Sequence, residues 1–422
     1  MDHISADATV LKYPGEPRRV DARPARRVST RAARPGPGGT AAASLTGPPR
    51  RADGTTLGDH AARQALRLCE AAGLSGADSA EYARTLLAVL GPAAGRSLHL
   101  PPPEPSFLSD DHTPVEFSLA FVPGADPTLR VLLEPGFGAG SLAANGRAGL
   151  ASVRALARRH GFGTRRLDEL EDLFFPDSPQ GPLALWCALE LVPGGVPRVK
   201  VYLNPAASGP EHAAATVRTA LSRLGHRKAL DVLPEGDRPL FFALDLGDWE
   251  RPRAKVYLAH HDLSAKEAAR LSRADGGPGR KAIRDFFRAA AGQTRGDAED
   301  GPEARLCRRP VQSCHAFTDT AADRPSGFTL YVPVRDYARH DGEALDRATA
   351  VLARHGMDPA PLVRSVAALT SRRPEDGVGL IAYLGLAHQQ DRPPRVTAYL
   401  SSEAYAVRPP ADGPYSSASS RR

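Results

Sequence analysis

The sequence predicts an α+β fold, a ten-stranded antiparallel β-barrel with a central solvent-filled chamber, ringed by about ten α-helices in five repeats. Three observations predict it. The first is a recurring strand. "RVKVYLNP" from Arg198, "RAKVYLAH" from Arg253 and "RVTAYLSS" from Arg395 alternate cationic or phenolic residues with Val and Leu, and "TLRVLLEP" and "GFTLYVPV" echo them. A period of two puts the two classes on opposite faces of a strand. The second is rhythm: two helical stretches precede two strands, five times over. The third is closure, because ten strands sit poorly in an open twisted sheet and a barrel leaves no exposed edge.

From about residue 57, helices in "LGDHAARQALRLCEAAGL" and "DSAEYARTLLAVLG" lead to strands "PVEFSLAFVP" and "TLRVLLEP". Helices in "NGRAGLASVRALARRHG" and "TRRLDELEDLF" lead to "LALWCALELV" and "RVKVYLNP". "GPEHAAATVRTALSRLG" and "HRKALDVL" lead to "RPLFFALDL" and "RAKVYLAH". "SAKEAARLSRA", opened by a Ser264/Glu267 capping box, and "GRKAIRDFFRAAAG" precede "SCHAFTD" and "GFTLYVPV". "DGEALDRATAVLARHG" and "DPAPLVRSVAALTS" close the series before "VGLIAYLGLA" and "RVTAYLSS". Taking Arg130, Lys200, Lys255, Thr329 and Thr397 as markers, the intervals are 70, 55, 74 and 68 residues, a long period of the kind that stacked or closed arrays show. A ten-stranded barrel is wider than the eight-stranded kind that side chains fill, so it encloses a cavity. Helices outside would cover the Val/Leu faces, leaving the cations and tyrosines to line the lumen, where a polyanion offsets their repulsion and lost hydration.

The formal net charge of +7 does not argue for a nucleic-acid partner, because of where it lies. Residues 1–55 hold ten Lys/Arg against five acids, which leaves +2 for the rest of the chain. This Pro/Gly/Ala/Arg-rich leader reads as disordered, as does a tail over 408–422, leaving 56–407 as one domain. The leader lacks the apolar core of a secretory signal, and no run reaches the length of a membrane span. Cys69, Cys187, Cys307 and Cys314 form no CxxC pair, so reduced thiols in a cytoplasmic protein are expected. "GFGAGS" at Gly136 lacks the Lys-Ser/Thr of a P-loop and reads as a turn; "HHD" at His260 reads as a loop rather than a metal cluster. His315 in "SCHAFTD" reads either as a lumenal proton shuttle or as a structural histidine.

"FLSDDHTPVEFSLAF", followed by the R-x-K-x-Y strands and joined by "LEDLFFPDSPQGPLALWCALEL", resembles the aromatic prenyltransferases of the dimethylallyltryptophan synthase type over roughly residues 57–407. The likeness is greatest to bacterial enzymes that prenylate L-tryptophan at indole C6. It implies the ABBA prenyltransferase barrel and transfer of a dimethylallyl group from its diphosphate to an indole carbon. No cofactor and no metal are implied; the substrates are small molecules, and neither nucleic acid nor membrane is a partner. A monomer or homodimer is compatible. The chain has no DDxxD motif, and Asp110 and Asp111 lack a further acid at that spacing, so protein cations must hold the diphosphate.

By the same resemblance Glu116, flanked on its face by Ser118 and Ala120, accepts the indole N–H. A carboxylate there raises ring electron density and stabilises the cationic arenium intermediate. Arg130, Lys200, Tyr202, Arg253, Lys255, Tyr257, Tyr331 and Tyr399, with Arg395 beside them, are the diphosphate ligands; Thr329 stands where relatives often carry Gln or Lys. Phe107, Leu108 and Arg238 are the candidates for holding the amino acid. Fungal C4 enzymes carry a lysine in the strand before "KVY"; here that strand has none, Cys187 lies near the place, and the base that takes the ring proton stays open. Other indoles, tryptophan-containing cyclic dipeptides and tyrosine compete as acceptors. A non-catalytic polyanion-binding barrel is the rival from another class, and Glu116 discriminates, since an anion binder gains nothing from a carboxylate.

Overall fold

The computed structural model describes residues 54–410 apart from 230, 248, 250, 251, 276 and 294–303. The predicted leader lies, but for its last two residues, outside this range, as does the tail beyond residue 410. Arg408 is still engaged, bridged to Val378 and paired with Asp336 at 3.1 Å.

The strands are β1 (Val115–Phe121), β2 (Thr128–Leu133), β3 (Leu185–Leu191), β4 (Arg198–Leu203), β5 (Arg238–Asp245), β6 (Ala254–His260), β7 (Leu263–Ser264), β8 (Arg305–Leu306), β9 (Val311–Phe317), β10 (Gly327–Val332), β11 (Ile381–Gln389) and β12 (Arg395–Ser401). Ten of them close a barrel in the order β1-β12-β11-β10-β9-β6-β5-β4-β3-β2, every neighbour antiparallel. The short β7 and β8 pair with each other outside it.

Helices α1 (Leu57–Ala71), α2 (Gly76–Leu90), α3 (Leu142–His160), α4 (Arg165–Asp168), α5 (Glu171–Phe174), α6 (Ala213–Arg223), α7 (Ala265–Ala268), α8 (Arg280–Ala291), α9 (Asp341–Arg354) and α10 (Ala360–Leu369) surround it. Several are shorter than their periodicity predicts. "TRRLDELEDLF" breaks into α4 and α5, "SAKEAARLSRA" yields the single turn α7, and "HRKALDVL" yields a 3₁₀ turn at Arg227–Ala229. The capping box at Ser264 and Glu267 is present, and a second one, Thr56 with Asp59, opens α1.

The core is an annulus. Phe117, Leu119, Val131, Leu189, Val201, Val256, Leu330 and Leu384 point outward from the strands into one cluster with Leu68, Leu86, Val153, Leu221, Phe287 and Leu352 of the helices. Burying each such side chain is worth about 1.5–3 kcal/mol, so the helical shell and the barrel wall depend on each other. The other strand face is left to polar and aromatic groups.

Two glycines are fixed by geometry. Gly136 turns the chain after β2 at φ 89°, and a Cβ there would come within 2.4 Å of the Asn145 carbonyl oxygen. Donors of the glycine-rich turn are already engaged by the protein: Gly138 N–H and Asn145 Nδ2 both donate to Glu104, the first at 2.7 Å. Gly385 in β11 lies under two rings, and a Cβ would meet Tyr331 at 3.1 Å and Tyr399 at 3.6 Å.

Candidate active site

Cross-strand register decides which side chains share the lumen. Ser118 stands opposite Tyr399 and Arg130, Arg130 opposite Glu190, Ala188 opposite Lys200, and Lys200 opposite Asp245. Ala243 pairs with Lys255, Phe241 with Tyr257, Cys314 with both Tyr257 and Thr329, and Tyr383 with Tyr399. The structure therefore brings Glu116, Arg130, Lys200, Tyr202, Arg253, Lys255, Tyr257, Tyr331, Arg395 and Tyr399 around one chamber.

The chamber is polarised along its axis. At one end a cavity of about 210 Å³ opens between Arg253, Lys255, Thr329, Gln389, Arg392 and Arg395. Thr329 thus reaches the cationic mouth although it cannot supply the charge of a lysine. In the middle four tyrosines follow one another around the wall, with ring centroids 5.6 Å apart for Tyr202–Tyr257, 5.8 Å for Tyr257–Tyr331 and 5.7 Å for Tyr331–Tyr399. Burial raises the pKa of each, so all four are phenols that donate hydrogen bonds. The far end is aromatic and acidic: Trp186 packs on Phe241 at 5.1 Å, with Leu108 and Leu183 against it, and Glu116 sits nearby on β1.

Glu116 is 6% exposed and has no ion-pair partner among the described residues. Burial raises its pKa to about 8, against a smaller opposing pull from Arg335. It is not the only acid in the chamber, which corrects the expectation that a lone carboxylate would separate an enzyme from an anion binder. Glu190 pairs with Arg130 at 2.6 Å, and Asp245 takes Lys200 at 2.8 Å and Arg253 at 2.8 Å. Burial works against the ionised form of Glu190, but Arg130 and then Lys200 outweigh it and bring its pKa to about 2. Burial, then Lys200 and Arg253, push Lys255 well below the usual lysine range, and burial beside Arg130 and Arg253 brings Arg395 down to about 10. Glu116 differs from the other two acids in having no cation assigned to it.

Glu190 lies on the polar alternation of its strand, with Trp186 and Ala188, and could have been read from it. Trp249 could not: it lies in the β5–β6 loop, with its ring 4.9 Å from Lys200 Nζ and 4.7 Å from the Arg253 guanidinium carbon. Arg335 also escaped notice. It follows β10, is 4% exposed, and stacks over Tyr383 at 5.0 Å; its Nε has no hydrogen-bond partner among the described residues.

Other expectations divide. Leu108 is buried against Trp186, whereas the Phe107 side chain is 42% exposed, because neighbours in this loop point apart. Arg238 starts β5 opposite Ala259, half-buried at the aromatic end. Cys187 points outward into the helix-covered core, where burial lifts its thiol to about 12, so it cannot take the ring proton. His315 takes the structural alternative. It alternates with lumenal Cys314, packs on Phe328 and meets Ser313 Oγ at 3.2 Å. His260 is buried at the end of β6, while His261 pairs with Asp237, and no His/Cys/Asp/Glu group suited to a metal exists among the described residues. Asp110 serves Arg309 at 2.9 Å and lies 3.5 Å from Arg335 and Arg408; Asp111 binds Thr113 and the Tyr405 N–H.

A sequence profile described as tryptophan dimethylallyltransferase matches residues 58–362, well over half of the chain. The chain belongs to that family. The solved structures agree. A 5-dimethylallyl tryptophan synthase from Streptomyces coelicolor, in complex with DMASPP and Trp, is 64% identical over 86% of this chain and 99% of its own, with a TM-score of 0.80. The prenyltransferase PriB, in a ternary complex with L-tryptophan and dimethylallyl thiolodiphosphate, is 60% identical over 85% and 99%, at 0.82. A 6-dimethylallyltryptophan synthase from Micromonospora olivasterospora is 42% identical over 84% and 99%, at 0.77. The ten-stranded barrel with its helical ring is the prenyltransferase fold of these relatives, and the chain is an aromatic prenyltransferase of the tryptophan dimethylallyltransferase family. No described helix is long and apolar enough to cross a membrane.

Proposed function

We propose that this enzyme transfers the dimethylallyl group of dimethylallyl diphosphate to C6 of the indole ring of L-tryptophan, by electrophilic aromatic substitution and without a metal ion. The observation that carries the reading is the polarity of the chamber. The cationic mouth and the unpaired Glu116 are separated by the tyrosine belt. Along β1, Glu116 is two residues from Ser118, whose cross-strand partners are Arg130 and Tyr399, a step of roughly 7 Å. An indole held on Glu116 would therefore lie within reach of an allyl group whose diphosphate is on the cations.

As the allylic C–O bond lengthens, negative charge grows on the leaving diphosphate, and Arg130, Lys200, Arg253, Lys255 and Arg395 stabilise it with charge-assisted hydrogen bonds. The tyrosine hydroxyls add donors without adding charge. Their rings exclude water from the allyl cation and offer it their π faces. Indole carbon attacks, positive charge spreads to the ring nitrogen, and Glu116 accepts the N–H. Arg335, stacked over Tyr383 at the acidic end, and Arg238 on β5 are the cations suited to the amino-acid carboxylate. Leu108 and Trp186 would pack against the ring. Four free cysteines, three of them buried, fit a reducing cytoplasmic setting.

A second reading, attack by C5, is favoured by the 64% identity to a 5-dimethylallyl tryptophan synthase. Incubation with dimethylallyl diphosphate and L-tryptophan in EDTA, with the product assigned by NMR, separates the cases. The 6-substituted product is expected, a 5-substituted product selects the second reading, and no product in EDTA contradicts the metal-free chemistry.

A further inference from the structure

Two of the cations at the mouth are already engaged from two directions. Asp245, with a fully buried side chain, faces Lys200 Nζ as an ion pair on one oxygen, at 2.8 Å, and accepts a hydrogen bond from Arg253 Nε on the other. Trp249 presents its ring to the same two groups, and its Nε1 donates to the Val199 carbonyl at 3.0 Å, which fixes the ring in place. Glu190 holds Arg130 in the same way. Among the described residues Lys255 has no carboxylate partner, and Arg395 Nε has no hydrogen-bond partner.

These carboxylates look out of place. A site for a polyanion loses electrostatic attraction with each acid it contains, and they compete for the donors that the diphosphate needs. The charges explain them. Glu190 and Asp245 between them engage Arg130, Lys200 and Arg253, and leave Lys255 and Arg395 with no ion-paired carboxylate among the described residues. Without its acids the site would hold more unmatched buried cations, which is costly when it is empty. The same site would then grip the released inorganic diphosphate harder than turnover allows, since product release limits many enzymes. Lysine has three donor hydrogens and arginine five, so Lys200 and Arg253 can keep one bond to Asp245 and turn others to the ligand.

We propose that Asp245 is a positioning residue that serves as the resident counter-ion of the diphosphate end, with Glu190 in a lesser version of the same role. It holds Lys200 and Arg253 in place between turnovers, against Trp249, and it weakens the hold on product diphosphate so that the site empties. The inference rests on the reading that diphosphate binds at this end of the chamber.

The test is calorimetric titration of full-length enzyme with inorganic pyrophosphate, comparing wild type with Asp245→Asn, which keeps the shape and removes the charge. The dissociation constant is expected to fall about tenfold, the change that follows from losing one competing charge-assisted partner. Product inhibition by pyrophosphate should strengthen in parallel, and kcat and the KM for dimethylallyl diphosphate should both fall. A merely structural lesion moves affinity the other way. Asp245→Glu, which restores the charge, should return pyrophosphate affinity toward wild type. Unchanged or weaker pyrophosphate binding by a folded Asp245→Asn protein overturns the inference. If that variant does not fold, Glu190→Gln decides, with about threefold tighter binding expected and unchanged or weaker binding contradicting the role. If wild type itself shows no binding, the assignment of this end to diphosphate has failed, and the counter-ion role falls with it.

Discussion

The two ends of the chamber treat charge in opposite ways. At the mouth, carboxylates and cations are paired across neighbouring strands, Arg130 with Glu190 and Lys200 with Asp245. At the other end Glu116 is buried without a paired cation, and the same burial that costs Glu190 nothing net leaves Glu116 with a pKa near 8. Paired charges are ready to hold an ion through the whole reaction. An unpaired carboxylate has its largest interaction still to make, with a positive charge that exists only in the arenium intermediate. In the proposed reaction, the difference separates a binding end from a catalytic end within one ring of strands.

The contrast is open to attack at several points. Glu116→Gln should show the largest effect, a loss of about 10²–10³-fold in kcat with pyrophosphate affinity within about twofold of wild type, measured by steady-state assay and calorimetry. Lys255→Met should do the reverse, weakening pyrophosphate binding by about 10–100-fold, the worth of one charge-assisted hydrogen bond. A smaller effect is expected in the pH profile. In the proposed reaction the ionised form of Glu116 is the working one, and burial has raised its pKa, so kcat/KM should be lost as pH falls through about 8. That limb should be missing from the residual activity of Glu116→Gln. Smallest of all, Cys187→Ala should leave turnover within about twofold while lowering stability by ~1 kcal/mol, as expected for a small outward-facing core residue. A large loss of turnover would return Cys187 to the list of bases.

Much of this arrangement was legible in the sequence. All ten barrel strands were legible, and period-two alternation marks most of them, because a barrel with a polar lumen and an apolar outer face imposes it; β9 departs, with Ser313 and His315 on its outward face. The same alternation put Arg130, Lys200, Lys255 and the tyrosines on one side. Pairing was not legible. Whether Asp245 meets Lys200 depends on how the β4–β5 connection sets the register, and no local pattern encodes that. Trp249 and Arg335 lie in irregular backbone, where no period says which way a side chain turns. The same limit explains Phe107 and Leu108, adjacent in a loop, one exposed and the other packed on Trp186. Helices were overextended where Arg- and Glu-rich stretches have helical propensity but offer too narrow an apolar stripe to pack, as in α4, α5 and α7.

The most direct test of this division is a crystal structure of the enzyme with L-tryptophan and a thiolodiphosphate analogue of the prenyl donor, the ligand sulfur located by its anomalous signal. The account predicts phosphate oxygens on Arg130, Lys200, Arg253, Lys255 and Arg395, the sulfur beside the tyrosine belt, and the indole nitrogen within hydrogen-bond distance of Glu116. A diphosphate bound instead at Arg335 and Arg309, or an indole nitrogen turned away from Glu116, would contradict it.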